Sequence, residues 1–64
     1  MLNIKPVKIN LSKLRPKEAI KTAVAHVIAN PGVAYHFQCR SSSIAAKVLQ
    51  ACVALEGRGP IKAT

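Results

Sequence analysis

The chain has 64 residues and carries ten Lys or Arg against two acidic residues, a formal net charge of +8 at pH 7. That length allows one small domain with a marginal core. No apolar run reaches the roughly 20 residues of a membrane-spanning helix, so the charge speaks for a polyanionic partner.

Leu2 and Ile4 open the chain and Pro6 interrupts it, after which Val7, Ile9 and Leu11 alternate with Lys8 and Asn10. This two-residue period predicts a short strand over Val7 to Leu11, with Pro6 suited to its start or to an edge because proline cannot donate to a ladder. Ser12 to Arg15 connects it to a helix beginning at Pro16, a position where proline's missing N–H costs little. Ala19, Ile20, Ala23, Val24, Val27 and Ile28 form one apolar stripe to about Ala29, and Asn30-Pro31-Gly32 stops the helix. Lys13, Arg15, Lys17 and Lys21 crowd the start of this helix, where the dipole disfavours cations. A bound anion would relieve that conflict.

From Val33 to Cys39 the larger apolar residues, Val33, Tyr35, Phe37 and Cys39, alternate with Ala34, His36, Gln38 and Arg40, the pattern of a half-buried strand. The period then changes, with Ile44, Val48, Leu49, Cys52 and Leu55 at helical spacing. Between the two periods, Ser41-Ser42-Ser43 supplies an N-cap from one of its hydroxyls. The same turn, with Arg40 beside it, is a seat for an anion. After Glu56-Gly57, the stretch Arg58 to Thr64 reads as a basic flexible tail, with a vestigial strand start at Ile61 as the alternative.

The predicted order is β-α-β-α in a single domain over residues 1–57, followed by the tail at 58–64. Strands joined through a helix lie parallel with a right-handed crossover. The expected fold is therefore α/β (α+β), a short parallel sheet with two alanine-rich helices on one face. Two strands have open edges that invite pairing, so a homodimer, a higher oligomer or a larger protein partner is expected to complete the sheet.

Chemistry is sparse. There is no Asp, Glu18 and Glu56 lie apart, and the serines have no adjacent base or nucleophile elbow, so an enzyme is not expected. Cys39 and Cys52 fall in apolar phase and His26 and His36 lack metal-ligand spacing, which predicts reduced structural thiols, no metal and no cofactor. No signal peptide is expected ahead of the cysteines, so a cytoplasmic setting follows.

The segments VKINL, SKLRP, AIKTAVAHVIANPG, VAYHFQCR and SSSIAAKVLQACVAL resemble, in order and spacing, the Alba-type nucleic-acid-binding proteins and especially the stage V sporulation protein S (SpoVS) family. The resemblance covers about Val7 to Leu55. Family members continue into two more strands, part of which forms a DNA-touching arm in Alba proteins, whereas this chain ends at Thr64. The resemblance implies a nucleic-acid face made from Lys13, Arg15, Lys17 and the turn Arg40 to Ser43.

Two functions follow. The first is a small basic protein binding DNA or RNA without sequence specificity, its phosphates held by Lys13, Arg15, Lys17, Arg40, Ser42 and Ser43 at two loop-to-helix turns, in a nucleoid or ribonucleoprotein particle. The second is a protein-interaction module, or a small subunit or inhibitor docking on a larger (nucleoprotein) assembly.

Overall fold

The computed structural model describes residues 5–64. Leu2 and Ile4, and with them the start of the expected 1–57 domain, lie outside the described residues. Among the described residues three strands and two helices alternate: β1 (Val7–Asn10), α1 (Pro16–Ala29), β2 (Tyr35–Gln38), α2 (Ser42–Val53) and β3 (Ile61–Ala63). All the strands run parallel in the order β1-β2-β3.

The expected strand-helix-strand-helix order is present, and the sheet has a third strand. This corrects the reading of 58–64 as a flexible tail. Tyr35 pairs with Ile61 and Phe37 with Ala63, the Tyr35 amide donates to the Pro60 carbonyl at 2.9 Å, and the Cys39 amide donates to the Thr64 carbonyl at 2.7 Å. The physical reason is that the free edge of β2 needs partners for its backbone groups, and Ile61-Lys62-Ala63 alternates in the phase that supplies them.

Gly57 and Gly59 make the return possible. Gly57 adopts a positive φ of 72° after α2, a conformation glycine reaches without strain. Gly59 passes so close to the start of β2 that a Cβ there would lie 2.6 Å from the Val33 carbonyl oxygen. Arg58 folds back between them, its Nε donating to the Val53 carbonyl at 3.0 Å. It thereby satisfies one of the orphan acceptors at the end of α2.

Alternation assigns the two faces of the sheet. Tyr35 and Phe37 are buried, and their rings stack at 5.3 Å with an interplanar angle of 11°. They join Leu11, Ala19, Ala23 and Val27 from one side and Ile44, Val48 and Cys52 from the other in one core. Both helices therefore cover the same face, and they pack against each other, with α2 lying over β3 and β2. Ala19 and Ala23 are fully buried at this contact layer, where small side chains permit close approach. Phe37, with no exposed surface, is the largest fully buried side chain, and burying such a ring contributes about 1.5–3 kcal/mol.

The expected α1 bounds agree with those observed. The second strand is shorter than the predicted Val33 to Cys39, since Val33 and Ala34 lead into the ladder and Cys39 leaves it. The second helix ends at Val53, before the predicted Leu55. Among the described residues no helix is long and apolar enough to cross a membrane.

Replacing Gly59 with Ala is expected to destabilise the fold by about 1–3 kcal/mol, because backbone on both sides has to move, which for a domain of this size lowers Tm by roughly 4–8 °C per kcal/mol. A thermal melt of the variant that superimposes on the wild type would show that β3 does not dock as described.

Candidate nucleic-acid interface

The first of the two expected turns is built by alternation in direction. Leu11 is buried and Leu14 packs partly against the core, so Lys13 and Arg15 between and beyond them are exposed. Asn10 closes the turn: its Oδ1 accepts from the Ser12 amide at 2.9 Å and the Ser12 hydroxyl at 2.6 Å. The Leu14 amide then donates to the Leu11 carbonyl at 3.0 Å.

Arg15 is the N-cap of α1, extended at φ −66°, ψ 157°, with no side-chain cap hydrogen bond. A residue before proline is pushed into that extended region, and arginine has no acceptor to offer the helix. Pro16 has no N–H, so the open donors of this turn are the Lys17 and Glu18 amides. The cationic start of α1 is thus also its uncapped start.

The second turn differs. Ser41 is the capping serine, at φ −145°, ψ 163°, its Oγ accepting from the Ile44 amide at 3.4 Å. The Ser41 and Ser43 hydroxyls lie 3.3 Å apart, and the Ala45 amide donates to the Ser41 carbonyl at 3.0 Å. This leaves the Ser42 and Ser43 amides as the open donors of α2. Arg40, Ser42 and Ser43 are all exposed, as are Lys13, Arg15 and Lys17.

Pairing brings the two turns to one end. Asn10 lies opposite Gln38 at the carboxyl ends of β1 and β2, and the Leu11 amide donates to the Gln38 carbonyl at 2.7 Å. Because these neighbouring strands are parallel, Lys13/Arg15/Lys17 and Arg40/Ser42/Ser43 leave the same edge of the sheet, with both helix N-termini beside them. The arrangement can hold an anion by charge and by amide donors together.

One set of basic residues was not part of the predicted site. Lys8, His36 and Lys62 are register partners across the three strands, on the face opposite Tyr35 and Phe37. Their polar phase is readable in VKIN, YHFQ and IKA, but their alignment depends on β3, which the sequence reading assigned to a tail.

The cysteines have no part in this interface. Both are free, Cys52 buried and Cys39 half-buried. Burial pushes the Cys52 thiol above its ordinary value, with Arg58 opposing the shift and Cys39 adding to it, and burial likewise raises Cys39. Among the described residues no three His, Cys, Asp or Glu side chains cluster as a metal site would.

Comparison of the chain with protein-family models, curated proteins and solved structures found no match.

A raised thiol value in the folded state means that the unfolded chain gives up the proton first, so the thiols' contribution to stability is present below the ordinary thiol value and is lost as pH rises from there through the raised folded value. Cys52 is accordingly expected to resist iodoacetamide at neutral pH until the protein is denatured, and added reductant to leave Tm unchanged. Rapid alkylation of Cys52 in the native protein, or a fall in Tm with reductant, would contradict this.

Proposed function

We propose that this chain is a small, non-sequence-specific nucleic-acid-binding protein that holds phosphates at the two loop-to-helix turns. The observation carrying the reading is the shared sheet end at which exposed Lys13, Arg15, Lys17 and Arg40 meet two helix N-termini. The net charge of +8 supports it, since phosphate contacts supply most of the affinity in sequence-tolerant binding. The resemblance to the Alba and SpoVS families is consistent with the same surface. On this reading the chain works in a cytoplasmic nucleoid or ribonucleoprotein particle, without a metal or cofactor and without catalysing a reaction.

Open sheet edges favour a second reading, in which the chain is an interaction module or subunit. The outer sides of β1 and β3 have no strand partner among the described residues, and a strand edge is a template for pairing with another chain. The two readings are compatible if the basic protein assembles on a nucleoprotein.

Changing Lys13, Arg15 and Arg40 together to Gln is expected to weaken binding to unrelated sequences alike and to flatten the plot of log affinity against log salt by up to about three units, at roughly 0.9 per lost phosphate contact. Unchanged affinity and slope would assign these residues to solvation and capping only.

Sedimentation of the isolated chain is expected to show at least a dimer at micromolar concentration. A stable monomer would remove the case for edge pairing between copies.

A further inference from the structure

The sheet of this protein has one face that neither helix covers. Parallel pairing puts Lys8, His36 and Lys62 in one row across it, with Asn10 and Gln38 paired in the next row toward the turns. Thr64 follows Lys62, and its Oγ1 lies 3.2 Å from His36 Nε2. These six residues include no apolar and no acidic group, and the apolar Pro6, Ala34 and Pro60 lie at the opposite end of the strands, beside Lys62. The chain's only acids, Glu18 and Glu56, belong to the helical layer, in the first turn of α1 and just beyond α2.

An all-parallel sheet is ordinarily covered on both faces, so the chemistry of the bare face indicates what covers it. A second copy of the same face would oppose lysine to lysine, which is repulsive. A protein partner would look for the aromatic and apolar groups that dominate interface cores, where Lys is depleted. Tyr35 and Phe37, the chain's two aromatic residues, are buried on the other side, so there is no platform for stacking unpaired bases. What remains is a cationic surface suited to the phosphates of a duplex, since protein–DNA interfaces are polar and strongly positive. Neighbouring strands lie about 4.8 Å apart, so the row spans about 10 Å and offers charge across the strands rather than at a single point.

The row also joins the turns. Asn10, in the second row, accepts both hydrogen bonds from Ser12, and Gln38 leads through Cys39 to Arg40. We propose that the open sheet face is a second phosphate-contacting surface, continuous with the turn end, on which Lys8 and Lys62 hold the backbone of duplex nucleic acid with His36 between them. This rests on the nucleic-acid reading above and extends it from one end of the sheet to its whole uncovered face.

The test is fluorescence anisotropy of a short labelled DNA duplex of mixed sequence with the full chain, across a salt series. The K8Q/K62Q variant is expected to bind about tenfold or more weaker at 0.1 M salt, with a salt slope shallower by up to about 1.8 units. K8R/K62R should retain binding, and K47Q, at an exposed position on α2, should be unchanged. Amine acetylation of the wild-type protein, read by mass spectrometry, should show Lys8 and Lys62 protected by duplex and Lys47 not, a measurement that needs no variant to fold. The proposal is overturned if K8Q/K62Q binds as wild type or if Lys8 and Lys62 are acetylated equally with and without duplex. Loss of binding in K13Q/R15Q/R40Q with full binding in K8Q/K62Q would confine the site to the turns. The converse result would uphold the face and reject the turns, and wild-type protein that binds no duplex at any salt would reject both.

Discussion

Two backbone ladders meet on β2, and the positions of both helices, both turns and the polar face follow from them. On one side the Val7 amide donates to the Ala34 carbonyl at 2.8 Å and the Leu11 amide to Gln38. On the other, Tyr35 and Cys39 donate to Pro60 and Thr64, and the Thr64 amide returns a bond to Phe37 at 3.0 Å. Parallel strands cannot be joined by a hairpin, so each ladder requires a crossover, and α1 and α2 are those crossovers. Because β1 and β2 run parallel, the two strand-to-helix turns that follow them share one end of the sheet.

The core that this arrangement encloses is small, and its composition shows how it closes. Phe37, Leu11, Val48 and Cys52 are its largest fully buried side chains, and Ala19 and Ala23 fill the layer around them. Alanine buries little area, so each large residue carries a sizeable share of the stability. Truncating a buried Phe costs about 3–5 kcal/mol in general, which is comparable with the whole stability of many domains. Cys52 fits this account as a small apolar residue whose thiol is kept protonated by burial. The close passage of Gly59 belongs to the same economy of space, because it lets β3 reach β2 without lengthening the loop.

Polar and apolar groups are segregated across the sheet. The apolar phases of β1, β2 and β3 face the helices, and the opposite phases present amide, hydroxyl, imidazole and ammonium groups. Among the described residues that face exposes no large apolar side chain, which is how a parallel sheet here tolerates water on one side. The exposed large apolar groups lie at element ends: Val7 is 44% exposed at the start of β1, Ile28 64% at the end of α1, and Val53 47% at the end of α2.

Local signals in the sequence determined the elements and their inward faces. Pro16 and Asn30-Pro31-Gly32 bounded α1, the change of period after Cys39 separated β2 from α2, and the serine run marked a cap that proved to be Ser41. The exposed basic turns were also legible, because Lys13, Arg15, Lys17 and Arg40 lie in connections whose apolar neighbours point inward. Tertiary structure alone decided the role of 58–64. Ile61-Lys62-Ala63 shows only one alternation, too little to outweigh the glycines and proline before it, and its pairing energy comes from a strand more than twenty residues away. The same holds for Arg58, whose contact with the Val53 carbonyl exists only because the chain turns back. The Lys8–His36–Lys62 row has the same origin, since alternation tells which face a residue takes, whereas only strand order and register tell which residues stand side by side.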